Sequence, residues 1–143
     1  MNSPSLLLCS LMTVTAFLQS AQGENWTRFR GENGQGISRE TQLPLNWSAT
    51  ENIRWKTEIP GNGWSSPIVH GNAVFLTTTT QDGASCRIVC VDRAKGHVVW
   101  NVEVHRQDPG AKRRQNSYAT PTPVTDGERI YGTFADGTIT AVD

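Results

Sequence analysis

Cys86, Cys90, His70, His97, His105 and a scatter of Asp and Glu side chains are the groups in this chain that could act as nucleophiles, acids, bases or metal ligands. The two cysteines stand four positions apart in a stretch that reads as one strand, so their Cα atoms lie about 13 Å apart at ~3.3 Å per residue. A disulfide needs less than about 7 Å. They therefore do not pair with each other and read as small buried hydrophobes. No His stands at a metal-ligand spacing from either. The three histidines are separated by turns or loops, and none lies beside a Ser or Cys with a third member to complete a nucleophile–base arrangement. The acidic residues fall mostly in turns, where Asp bonds to local backbone, and form no metal-like cluster.

Gly31, Gly34 and Gly36 have the glycine density of a phosphate loop. They lack the Lys-Ser/Thr ending and the strand–helix setting that such a loop needs, and read as leader. Asn25-Trp26-Thr27 and Asn46-Trp47-Ser48 fit the N-glycosylation pattern, which matters only in a eukaryotic source. The polar connection 107–119 contains the one basic run, Lys112-Arg113-Arg114, together with Asn116 and Tyr118. Charge plus an aromatic on a loop makes these five the candidate partner-binding residues. With 13 basic and 13 acidic residues the chain is neutral overall, without the basic excess that nucleic-acid binding requires.

The elements that must position these groups follow from an internal repeat. Ser66-Pro67-Ile68-Val69 lies over Thr122-Pro123-Val124-Thr125, an offset of 56. A Gly turn follows in each copy, then an apolar strand, then an Asp-Gly pair, Asp82-Gly83 or Asp136-Gly137. Asp-Gly is a strong hairpin signal because both central residues of the turn take positive φ. The spacing predicts strands near 65–69, 73–79, 86–92 and 97–104, and again near 119–125, 129–134 and 138–143. Residues 53–59 resemble 99–104, with Trp55 placed like Trp100, and read as a fourth strand whose partners lie elsewhere. Continuously apolar strand cores fit sheets covered on both faces. A repeat of ~45–55 residues with four strands fits a propeller blade better than a sandwich.

The N-terminus has a separate role. Residues 6–18 are mostly apolar, too short to span a bilayer and of signal-peptide length. Ala21-Gln22-Gly23 offers the small residues a signal peptidase reads, although no Lys or Arg precedes the apolar run. Cys9 lies inside that run rather than after it, so it is not read as a lipid anchor. The expected organisation is a signal peptide over 1–23, an extended leader over 24–52 and repeat structure over 53–143. Within the last, a blade-closing strand spans 53–59, a blade 64–104 and a partial blade 118–143. The expected destination is the periplasm or the extracellular space, with no transmembrane segment after cleavage.

The run from Cys90 to Trp100 resembles the pyrroloquinoline-quinone-type (PQQ-like) β-propeller repeats. These occur in quinoprotein alcohol dehydrogenases and in the propeller lipoprotein of the bacterial outer-membrane assembly machinery. Their tryptophan-docking motif is Ala-x-Asp-x-x-x-Gly-x-x-x-Trp. Asp92, Gly96 and Trp100 match it with Cys90 in place of Ala, and Ala141 and Asp143 begin a second copy. The run 26–31 and Asn46-Trp47 also resemble the lead-in of exported bacterial proteins of this type.

The resemblance covers about residues 50–143 and implies an all-β fold, a β-propeller of four-stranded antiparallel blades. About two blades plus a lone N-terminal strand are present, so an incomplete chain is expected. It also implies that the motif's Trp docks between neighbouring blades, with Asp92 bonding turn amides and Gly96 closing the turn. Dehydrogenases of the family typically have a vicinal Cys-Cys pair, a carboxylate base and calcium or lanthanide ligands, and no such set stands out here. The expectation is a non-enzymatic exported scaffold for protein partners, with no catalytic, cofactor-binding or metal residues and no nucleic-acid partner. The alternative is a fragment of a PQQ-dependent dehydrogenase. Uncovered blade faces and unpaired edges predict self-association of the segment.

Overall fold

Glycine-bearing turns cut the first repeat into β1 (Ile68–His70), β2 (Ala73–Thr80), β3 (Ser85–Asp92) and β4 (Val98–Arg106). The second repeat gives β5 (Val124–Thr125), β6 (Ile130–Thr133) and β7 (Ile139–Val142). The structure is a computed structural model that describes residues 23–110 and 115–143. Most of the expected signal peptide, and Lys112, Arg113 and Arg114 of the candidate loop, lie outside the described residues.

The strands form two antiparallel sheets, ordered β1-β2-β3-β4 and β5-β6-β7. This is the expected all-β architecture of one four-stranded and one three-stranded blade unit. β2 and β3 are rich in Val, Ile and Thr, whose branched side chains suit a pleated surface, and they pair in unbroken register from Ala73↔Asp92 to Thr80↔Ser85. Alternate residues of β3 serve the two faces. Cys86 packs with Ala119 and Phe134, and Ile88 lies against Gly132 of β6, so this face meets the second sheet. On the other face, Thr78 Oγ1 donates to the Pro60 carbonyl at 2.9 Å, which ties the incoming chain to β2.

Four details differ from the sequence expectations. The inner strands are shorter than 65–69 and 119–125, because Pro67, Pro121 and Pro123 have no N–H to give a ladder. Side chains hold those stretches instead: Ser65 Oγ bonds the Thr77 amide and carbonyl, and Thr122 Oγ1 accepts from the Ser66 amide. The first Asp-Gly turn is wider than two residues, since Gln81, Asp82 and Gly83 all take positive φ, at 52°, 54° and 106°. In the second, only Gly137 does, at 86°. Its amide donates to the Phe134 carbonyl, which makes Ala135 and Asp136 the central residues.

The other two differences concern the N-terminal half. Residues 53–59 form no ladder with any described strand. The β3 backbone is already paired on both sides, and the segment lies across the sheet face rather than along an edge. The leader is docked as well as extended. Trp26 exchanges two backbone hydrogen bonds with Val69, at 2.7 and 2.9 Å, and the Thr27 carbonyl accepts from the Thr125 amide at 3.0 Å. Residues 26 and 27 thereby join the inner strands of both sheets. Gly31, Gly34 and Gly36 form consecutive turns, each amide donating to an upstream carbonyl.

Candidate functional site

The β3–β4 connection is built around Asp92. Its Oδ1 accepts from the Lys95 amide at 2.7 Å, its own carbonyl accepts from the Gly96 amide at 2.7 Å, and Asn72 Nδ2 reaches Oδ2 at 3.0 Å. The Lys95 amide is the main reason that the Asp92 carboxyl is held below its ordinary range. Gly96 has φ 74° and is buried, a conformation open to glycine without steric cost. Trp55 covers this turn. A Cβ built on Gly96 would fall inside the Trp55 ring, the indole N–H donates to the Arg93 carbonyl at 2.9 Å, and Thr57 Oγ1 donates to the Gly96 carbonyl.

Trp100 occupies the corresponding place one unit further on. It is half-buried, 5.9 Å from the Phe75 ring centroid at a 43° tilt. With Phe75, Cys90, Ile130 and Asp143 it borders a cleft of about 290 Å³ between the two sheets. Sequence reading singled out Trp100 and noted Trp55 only for its placement. The contact with Gly96 belongs to Trp55, and the shared Trp spacing was the signal that could have found it.

The loop candidates lie at the other end of the sheet, seven strand positions from the Asp92 turn, or about 23 Å at ~3.3 Å per residue. The structure therefore separates Asp92, Gly96 and Trp100 from Asn116 and Tyr118. Tyr118 packs its ring on Gly83 and donates its hydroxyl to the Gly110 carbonyl at 2.7 Å. Gln107, buried, is fixed by its side-chain amide donating to the Gly83 carbonyl at 2.7 Å. Tyr118 stands between two cavities of about 590 Å³ each, and exposed Asn116 borders the first. Asp108 and Asp136 line one and Asp82 the other, with no Lys or Arg among the described lining residues. A planar tricarboxylate quinone needs cationic partners, so the described residues of these cavities do not fit it.

The remaining titratable groups serve packing. Burial pushes the Cys86 thiol up to about 11, with Asp136 and Glu103 adding to the effect. Burial also raises Cys90, aided by Asp92. Both thiols are free. His105 Nε2 lies 2.8 Å from Asp136 Oδ2 and bridges the two sheets from β4 to the β6–β7 turn. Among the described residues no group of three His, Cys, Asp or Glu side chains is arranged to hold a metal, and no helix is long and apolar enough to cross a membrane.

Comparison with known proteins agrees with this geometry. The family described as outer membrane protein assembly factor BamB, a PQQ-like repeat family, matches residues 37–143. No curated protein and no solved structure shows significant similarity to the chain. Two consecutive blade units, a Trp laid on the Gly of the next unit's turn and a match over most of the sequence converge on one conclusion: the chain belongs to the BamB-like family of PQQ-type β-propeller repeats.

Proposed function

We propose that this chain contributes blades to an exported, non-enzymatic β-propeller that works as a scaffold for protein partners, with the binding face at the Gln107–Tyr118 end. The observation that carries this reading is the division of labour between the two ends of the first sheet. At one end, Asp92 and Gly96 are engaged by turn amides and by the Trp55 ring. At the other, Tyr118 is anchored between two open cavities with exposed Asn116 beside it. An anchored aromatic flanked by polar groups loses little freedom on contact, which suits protein recognition. Family membership supports the same reading, because the matched description is that of an assembly factor. Export to the periplasm or beyond is part of the proposal and rests on the apolar 6–18 segment.

The test is site-specific photo-crosslinking in an exporting host, with the probe at Asn116 and, as control, at exposed Lys95 on the docking turn. A discrete adduct from Asn116 that is absent from Lys95 is expected. Equal adducts from both ends would overturn the placement of the face. Stoichiometric PQQ binding with dye-linked alcohol oxidation would overturn the scaffold and favour the dehydrogenase alternative. A flat quinone titration, with or without calcium, is expected.

A further inference from the structure

Two elements in the described residues have backbone with nothing to pair to, and they match. β7 is bonded to β6 on one side only. Residues 53–59 form no ladder, yet they alternate like a strand: Trp55, Thr57 and Ile59 are half-buried while Arg54, Lys56 and Glu58 are exposed. We infer that the free edge of β7 takes up residues 53–59 of a second copy of this chain as its fourth strand. Each copy would then give one strand and receive one.

The complete sheet supplies the template. There β4 completes β3 with Cys90↔Trp100 and Ile88↔Val102 in register. Cys90-Val91-Asp92 corresponds to Ala141-Val142-Asp143, and Trp100 corresponds to Trp55. The added strand therefore sets Trp55 opposite Ala141 and Thr57 opposite Ile139.

The faces agree with this register. Cys90 and Trp100 both border the cleft toward the second sheet. Ala141 pairs with Tyr131 and Tyr131 with Val124, and this row lies on the face of the second sheet turned away from the first. Trp55 of the donor points at its own first sheet, where it covers Gly96. Joining the strands thus brings the donor's first sheet over the acceptor's outward face. That face carries Ile139 at 72% exposure and Val124 at 37%, next to exposed Ala141. An apolar face and an unpaired edge are covered in one step, which favours the assembly by burial and by hydrogen bonding together.

The contact is head-to-tail, and such contacts close into rings or run on as filaments. Each copy supplies two sheets, and propellers close with roughly four to eight blades. The rings expected therefore hold two, three or four copies.

Two measurements on the full chain decide the matter. Light scattering after size exclusion should give one discrete mass of two to four copies. A monomer would overturn the proposal, and so would a polydisperse aggregate. For register, Thr57→Cys with Ile139→Cys places two thiols directly opposite across neighbouring strands, within disulfide reach. Mild oxidation should link copies to one another on a denaturing gel. Lys56→Cys with Ile139→Cys sets the two thiols on opposite faces and should link several-fold less. Equal linking by both pairs, or a disulfide closed within one copy, would overturn the strand exchange even if the mass were right.

Discussion

The Trp55 indole lies flat on Gly96, with its N–H on the Arg93 carbonyl at 2.9 Å, so a residue 41 positions earlier in the chain closes the β3–β4 turn. Gly96→Ala meets two separate penalties, positive φ and collision with the ring. A non-glycine residue in the left-handed region costs roughly 1–2 kcal/mol, and the displaced ring adds to it. Denaturant unfolding should report a loss of about 2–4 kcal/mol. Trp55→Ala should cost about 2–3 kcal/mol, as for a half-buried large aromatic. The double variant should lose less than the sum, because the collision disappears with the ring. Strict additivity would mean that the two residues do not touch.

Trp100→Ala should also destabilise, by about 2–3 kcal/mol, the lower part of the range for a large aromatic because the ring is only half-buried. It loses the contact with Phe75 and opens the cleft beside Ile130 and Asp143. Trp100→Phe should recover most of the loss, since the structure gives the Trp100 indole N–H no hydrogen-bond role here. A loss under about 1 kcal/mol for the Ala variant would mean that the ring faces solvent in the assembled protein.

Sequence and structure part company where a side chain depends on a distant segment. The Asp92 turn was legible because its bonds are local: Asp92 to the Lys95 and Gly96 amides needs only the spacing within the motif. The four strands of the first unit were legible for the same reason, as apolar runs between turn residues. The inner strands were read too long, since apolar patterning near Pro67 and Pro123 suggests a strand without saying whether a ladder donor exists. Trp55 on Gly96, and Trp26 joined to Val69, could not be found from spacing, because neither pair shares a local period. Tyr118 was singled out for its chemistry, but its role between two cavities depends on Gly83 from a different turn.

Cys86 and Cys90 should resist thiol reagents in the native protein. Both are buried, and Cys86 titrates near 11, so the reactive thiolate is scarce near neutral pH. With Cys9 replaced by Ser, a chromogenic disulfide reagent at pH 8 should label neither thiol rapidly, and both at once in denaturant. Fast stoichiometric labelling under native conditions would place at least one thiol at the surface.

Asp126 sets the acid limit of the second sheet. Its Oδ1 accepts from the Arg129 amide at 2.8 Å and the Glu128 amide at 2.9 Å, and the Tyr131 hydroxyl donates to Oδ2 at 2.8 Å. These donors favour the carboxylate, the Arg129 amide most, and lower it from 3.8 to about 2. The folded chain therefore holds its proton less tightly than the unfolded chain, so this group's contribution to stability is present above the unfolded value, 3.8. It falls away as the pH drops through about 2. Asp126→Asn keeps an acceptor for the amides but removes the charge. Its unfolding midpoint should consequently change less between about pH 4 and pH 2 than that of the parent chain. Glu24, Asp92, Glu103 and Asp136 are lowered as well, so a residual slope remains. Parallel acid curves for the two proteins would mean that the turn amides do not hold Asp126 in solution.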